Sequence, residues 1–231
     1  MNCIYNGVCE YSNTPECKPT CIRYVEMQYL LDTSNIPPNM QRIIGMEPDA
    51  CDYDAFCKLA DIKANIVDFA DRGSNLYIVS EHTGNGKTTW AIKMLLKYFD
   101  KMWAGNGLRQ RGAFISTPLF LSKCKDFGNV DEEFNAFKKN LTKLDLVVWD
   151  DIGCNGLSNY DLSQLMLYID ERILYGKSNI YTGNLLSKNL EEVLGSRLKS
   201  RIWDASIIVE LRGKDRRNGT VADIFQDNSN R

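Results

Sequence analysis

The apolar run Leu76-Tyr77-Ile78-Val79 leads straight into Ser80-Glu81-His82-Thr83-Gly84-Asn85-Gly86-Lys87-Thr88-Thr89. Apolar residues then recur at helical spacing: Trp90, Ile92, Leu95, Leu96 and Phe99. A strand, a glycine-rich loop and a helix in that order leave few folds open. Glycines let successive backbone N–H groups curl round an anion at a helix N-terminus. Lys87 can then reach the β and γ phosphates of a nucleotide, and the Thr88 hydroxyl can ligate Mg2+. Thr83, Gly84, Asn85, Gly86, Lys87, Thr88 and Thr89 therefore form a candidate Walker A loop. The usual pattern has glycine at position 81, where this chain has Glu81. That first glycine serves the turn, whereas Gly84, Gly86, Lys87 and Thr88 make the close approach. His82, the only histidine, reads as a solvent-facing loop residue more readily than as a catalytic one, because phosphoryl transfer needs no imidazole.

Downstream, Leu144-Asp145-Leu146-Val147-Val148-Trp149-Asp150-Asp151 is an apolar strand ending in two carboxylates, the pattern of a Walker B element. Asp150 can hold the Mg2+ shell beside Thr88, and Asp151 can orient or deprotonate an attacking water. A further strand, Asn179-Ile180-Tyr181-Thr182-Gly183-Asn184, ends in polar Thr182 and Asn184. In a parallel sheet both emerge on the edge that carries the phosphate loop, so Asn184 can orient the lytic water. Arg197 and Arg201, four apart in Leu194-Gly195-Ser196-Arg197-Leu198-Lys199-Ser200-Arg201, suit either an arginine finger for a neighbour's site or a solvated basic helix.

Strand-like and helical runs alternate from Leu76 to Val209, which implies a parallel sheet covered by helices. The first forty residues differ. Cys3, Cys9, Cys17 and Cys21, half of the eight cysteines, fall among Gly7, Pro15 and Pro19 in the spacing C-x5-C-x7-C-x3-C. So short a stretch buries little apolar surface, and four thiolates closing on one Zn2+ would supply the missing free energy; the other reading is free thiols in a flexible head. Cys51, Cys57, Cys124 and Cys154 stand apart and read as small core residues. Arg23 to Leu31 has helical spacing, Asn35-Ile36-Pro37-Pro38-Asn39 reads as a linker, and Cys51 to Phe69 as a helix leading into the main domain. The expected division is a cysteine-rich, zinc-binding module over residues 1–45 and an α/β nucleotide-binding domain over residues 46–231.

With 44% hydrophobic residues the chain is neither disordered nor collagenous. Lys and Arg number 28 against 30 Asp and Glu, so nucleic-acid binding would need a local basic patch. Phe120, Lys123 and Lys125 are candidates for such a patch, against the commoner reading as ordinary surface residues. No run of about eighteen apolar residues is present, and Met1-Asn2-Cys3-Ile4-Tyr5 lacks the features of a secretion signal, so a cytosolic protein without membrane contact is expected.

Together, GNGKTTWA, VVWDDIG, IYTGNL and LGSRLKSRI, in this order, resemble the AAA+ ATPases of the DnaC/DnaI-type helicase loader family, phage-encoded replication proteins above all, over roughly residues 50 to 217. The resemblance implies an AAA+ P-loop NTPase core, a parallel sheet between helices, with a small cysteine-rich N-terminal module that contacts the helicase. It implies a slow ATPase, stimulated by DNA or a partner, that self-associates through AAA+ interfaces and places a hexameric replicative helicase onto single-stranded DNA, in the host cytoplasm if phage-encoded. ATP and Mg2+ are the implied cofactors, with Zn2+ in the head. Residue by residue, it makes Lys87 and Thr88 the Walker A pair, Asp150 and Asp151 the Walker B pair, Asn184 the sensor I residue, and Arg201 the trans-acting finger with Arg197 beside it. Gly213-Lys214-Asp215-Arg216-Arg217 resembles the family's C-terminal end, with Arg216 and Arg217 either a phosphate sensor or a basic DNA contact. Two rival functions share these motifs: a transposition helper ATPase, against which the cysteine head speaks, and a non-hydrolysing nucleotide-binding adaptor.

Overall fold

Five strands form one parallel sheet in a computed structural model of the chain, which describes residues 3–6, 9–41, 47–102, 107–126, 131–154 and 156–215. The strands are β1 (Asn75–Val79), β2 (Gly112–Ser116), β3 (Leu146–Asp150), β4 (Ser178–Gly183) and β5 (Ile207–Glu210), in spatial order β2-β3-β4-β1-β5. Side chains alternate across each strand, and the two faces bury different sets. Leu76, Ile78, Leu146, Val148, Ile180 and Val209 face one layer. Tyr77, Val79, Ala113, Ile115, Val147, Trp149 and Tyr181 face the other. A parallel sheet covered on both sides needs such two-sided apolar strands, and these supply them.

The first layer holds α1 (Ile22–Asp32), α2 (Tyr53–Ala64), α3 (Ile66–Asp71) and α4 (Lys87–Met102). The second holds α5 (Thr117–Cys124), α7 (Asn159–Leu174) and α8 (Ser187–Lys199), with α6 (Glu132–Leu141) beside them. The start of α7 is fixed by a capping box in which the Ser158 side chain and Asp161 exchange bonds with each other's backbone N–H. The helix expected over Cys51 to Phe69 divides at Asn65, whose backbone leaves helical geometry between α2 and α3. Within α8, Gly195 has φ 77 and ψ 162, so Arg197 and Arg201 lie beyond a break, the latter on a π-helical turn, Ser200–Asp204.

Residues near the N-terminus pack on the sheet's first layer. Tyr5, Met27, Leu30, Leu31 and Ile36 belong to the same apolar cluster as Leu76 and Phe99. The Arg23 guanidinium stacks 3.6 Å over the Tyr5 ring, and both donate to Asp100 at the end of α4, at 3.0 and 2.9 Å. Burial pushes the Tyr5 phenol well up from its usual range. Just ahead of the stretch expected as a linker, Ser34 is buried and its carbonyl accepts from Phe114 N–H of β2 at 2.7 Å, and within the stretch Ile36 is buried in the core. This bond occupies part of an edge that a free linker would leave unpaired.

The four N-terminal cysteines are not gathered. Cys3 and Cys9 pack against the apolar cluster, Cys17 is partly buried, and Cys21 is exposed just ahead of α1. Among the described residues no group of three or more His, Cys, Asp or Glu is placed to hold a metal ion, so the tetrathiolate arrangement expected from their spacing is not formed. Of the other four, Cys124 is a core residue as expected, but Cys51 and Cys57 are exposed on the outer side of the α2 region. No helix among the described residues is long and apolar enough to cross a membrane.

Candidate nucleotide site

The sheet order decides which loops meet. With β4 between β3 and β1, the C-terminal ends of these three strands lie side by side, and their loops form the walls of one cleft of about 500 Å3. Residues 83–89, Asp150, Asp151, Thr182, Gly183, Asn184 and Met40 line it. A larger groove of about 700 Å3 runs along β2 between residues 32–38 and α5 and α6, on the far side of the sheet edge from the loop chemistry.

The loop has the curl that phosphate binding requires. Gly84 and Gly86 have φ of +74 and +100, values that L side chains rarely adopt. Glu81 is exposed, has no positive φ and does not line the cleft, so this loop makes its first turn without glycine. The Lys87 ammonium is buried at the loop's centre, where it donates to the carbonyls of His82 at 2.7 Å and Ser80 at 3.3 Å and to Asn85 Oδ1 at 3.4 Å. Asn85 also serves as a strut: its side chain is buried and donates to Ser80 Oγ and to the Leu211 carbonyl. His82 is exposed and contributes backbone only, its N–H to Ser80 Oγ and its carbonyl to Lys87.

Two hydroxyls converge on Asp150 Oδ1. Thr88 Oγ1 donates to it at 2.7 Å and Thr182 Oγ1 at 2.6 Å, and the Thr182 oxygen accepts from Asp151 N–H at 3.0 Å. Thr182 thus fixes both acidic residues at once. Asp151, with φ +57, is held in the left-handed region, and its side chain points to solvent at the rim. A further bond, Ile152 N–H to the Thr182 carbonyl at 2.8 Å, ties the turn after β3 to β4. Gly183 permits this closeness, since a Cβ there would lie 2.4 Å from the Tyr77 hydroxyl and 2.8 Å from the Ile152 carbonyl. The donor set suits a hard divalent cation: a hydroxyl on α4, with a carboxylate behind it. Thr88 and Asp150 would hold Mg2+, and Lys87 with the loop amides would hold phosphate.

Burial holds the Asp150 carboxyl above its usual range, against the opposing pull of the Thr182 and Thr88 hydroxyls. A carboxylate with a raised folded pKa contributes stability that is full below its unfolded pKa and is lost as pH rises through the folded value. At neutral pH the ionised Asp150 therefore costs the nucleotide-free protein stability. Asp150→Asn is expected to raise the Tm of the nucleotide-free protein by a few degrees at pH 7. The gap to wild type should shrink as pH falls toward 4, while Mg2+-dependent nucleotide binding is lost. A lower Tm at pH 7 would show that the carboxylate is stabilising where it sits.

The remaining expected residues are distributed as follows. Thr83 is exposed and Thr89 partly buried on the loop, and Asn184 is exposed at the rim rather than tied to the acidic pair. Arg197 and Arg201 do not reach this cleft. Both approach Asp170 on α7, Arg197 at 3.9 Å and Arg201 through Nε, and their side chains are 80% and 48% exposed. Phe120 cannot stack on a base: it is buried in edge-on contact with Phe134, Trp149 and Tyr168. Lys123 and Lys125 pair with Asp131 at 3.5 Å and Asp161 at 2.7 Å. Arg216 and Arg217 lie outside the described residues.

No protein-family model and no curated protein matches the sequence. Solved structures do. A DnaC helicase loader aligns over 72% of this chain and 94% of its own, with 22% identity and a TM-score of 0.60. DnaI aligns over 80% of this chain and 95% of its own, with 16% identity and a TM-score of 0.62. The replication initiator DnaA, bound to AMPPCP and single-stranded DNA, aligns over 84% of this chain and 56% of its own, with 16% identity and a TM-score of 0.57. At these identities the likeness is one of fold: the chain shares its fold with a DnaC helicase loader, with DnaI and with DnaA.

Proposed function

We propose that this chain is a DnaC/DnaI-type helicase loader, which uses ATP and Mg2+ to deliver a hexameric replicative helicase onto single-stranded DNA. The observation that carries the reading is the convergence of Lys87, Thr88, Asp150 and Thr182 at the ends of β1, β3 and β4, in a fold shared with two loaders along most of their length. Lys87 and the loop amides bind the β and γ phosphates. Thr88 and Asp150 would hold Mg2+, which when bound would neutralise charge on those phosphates. Asp151 orients the attacking water and takes its proton, and Asn184, at the end of the neighbouring strand β4, helps to hold that water. Residues 1–45 carry the helicase contact, and residues from 46 onward the ATPase.

Arg201 acts on a neighbouring copy. Its exposure on the α7–α8 face and its pairing with Asp170 suit a finger that exchanges an internal carboxylate for a neighbour's γ-phosphate. Turnover is slow because it waits for that neighbour, so ATP acts as a switch holding an assembly until loading is complete. Arg201→Ala is expected to leave ATP affinity within about twofold and to lower turnover by roughly 10³-fold. Normal turnover in this variant would remove the finger assignment. The reading as a whole is tested by capture of the replicative helicase of the same replication system by the full chain, with and without ATP. ATP-dependent retention supports the loader, and no retention under any nucleotide condition overturns it.

A further inference from the structure

The chain leaving β5 crosses the phosphate loop and is fixed at every peptide. Leu211 N–H donates to the Val79 carbonyl at 2.8 Å, and the Leu211 carbonyl accepts from Asn85 Nδ2 at 3.3 Å. Arg212 and Gly213 donate their N–H groups to the two oxygens of Asp52 at 2.7 and 2.9 Å, and Lys214 N–H donates to Asp49 at 3.1 Å. Asp52 is itself buried. Gly213 has no room for a side chain, since a Cβ would lie 2.3 Å from Asp49 Oδ2 and 2.5 Å from Asp52 Oδ2. Such an arm has little freedom to wander, and the residue it presents next is Asp215.

The Asp215 carboxylate rests against Gly84. A Cβ on that glycine would fall 1.8 Å from Asp215 Oδ1 and 2.2 Å from its Cγ, so the acid group sits directly over the loop's α-carbon. The Gly84 surface belongs to the cleft in which Lys87 and the N-terminus of α4 favour negative charge. We infer that Asp215 is an internal competitor for the phosphate site: its carboxylate takes the place at Gly84 that a nucleotide phosphate needs, and so sets the affinity of the cleft. Carboxylate and phosphate cannot share that place, because like charges a few ångströms apart repel strongly. A nucleotide must therefore expel the acid group, and apparent affinity falls by the fraction of molecules in which the place is already taken. The inference rests on the reading of this cleft as a nucleotide site and adds the residue that tunes it.

The test is equilibrium binding of Mg2+-ATP, and separately of inorganic pyrophosphate, to the full chain as wild type and as Asp215→Asn. The amide keeps the shape of the side chain and removes its charge. Asp215→Asn is expected to bind both probes roughly tenfold more tightly, pyrophosphate included because the competition is at the phosphates and not at the base. The Arg212 and Gly213 amides should stay protected from hydrogen exchange in the variant, showing that the arm is still clamped and that charge alone has changed. Equal affinity within about twofold, or weaker binding by the variant, overturns the inference while leaving the nucleotide site standing. Binding of ATP by neither protein overturns the nucleotide reading, and the inference with it. Binding by the variant alone supports both.

Discussion

Lys87→Ala is expected to weaken ATP binding by about 10²-fold and to abolish ATP-dependent self-association. Among the described residues that line the cleft the ammonium is the one cation, and Asp150 and Asp151 lie in the same walls. A charge-assisted bond to a phosphate is worth roughly 3 kcal/mol at its upper end, which is the stated fold-change. The loop also loses an internal tie, since the same ammonium joins the carbonyls of Ser80 and His82 to Asn85 Oδ1. Lys87→Arg is not expected to rescue binding, because the planar guanidinium is larger than the space that these three oxygens enclose around a point charge. Titration with Mg2+-ATP, alongside thermal melting to show that the sheet is intact, checks the expectation. Affinity within twofold of wild type would mean that nucleotide binds elsewhere.

The sequence made the strand, loop and helix around Lys87 and the acidic strand end at Asp150 legible, because each is a local pattern in which spacing carries the chemistry. The part of the site that it left hidden depends on which strands are neighbours. Thr182 and Asn184 both look suitable at the end of β4, and Asn184 is the one the family pattern selects. Only the placement of β4 between β3 and β1 reveals that the Thr182 hydroxyl joins Asp150 to Asp151. The clamp formed by Asp49 and Asp52 on residues 212 to 214 spans some 160 positions, and nothing local marks it. Two clusters of residue types leave more than one reading open in the sequence. Phe120 next to lysines has the make-up of a base-stacking patch, yet its ring completes the core beneath α5, where burial of apolar area outweighs any advantage of exposure. Four cysteines close in sequence invite a metal, but Cys3 and Cys9 find apolar neighbours, and the head is held instead by Tyr5, Arg23 and Asp100. Glu81 departs from the motif, which is written with a glycine there, but the backbone at that point has no positive φ that would call for one.

Arg172→Met is expected to lower the Tm by about 10 °C, corresponding to ~3–5 kcal/mol in a chain of this size. Arg172 is fully buried, and its fork is spent on four oxygens. Nε donates to Asn179 Oδ1 at 2.7 Å, one terminal nitrogen to the carbonyls of Leu141 and Leu144 at 2.6 and 2.9 Å, and the other to the Ser178 carbonyl at 2.5 Å. Burial pushes its pKa down to about 9, which still leaves it charged at neutral pH. Methionine matches the stem but takes the guanidinium donors away from the Leu141, Leu144 and Ser178 carbonyls, and a buried acceptor left unpaired costs its full desolvation. Lysine keeps the charge, yet one nitrogen cannot serve acceptors spread around a planar fork, so Arg172→Lys should recover only part of the loss. The damage should reach the nucleotide site. Asn179 Oδ1 also accepts from Trp149 Nε1 at 3.1 Å, and its amide donates to Asn75 at 2.9 Å, so one network pins β3, β4 and β1 in register. That register is what sets Thr182 opposite Asp150. Loss of ATP affinity at temperatures well below the melt is therefore expected in the methionine variant, and a Tm within 2 °C of wild type would show that the buried guanidinium is not what holds the three strands together.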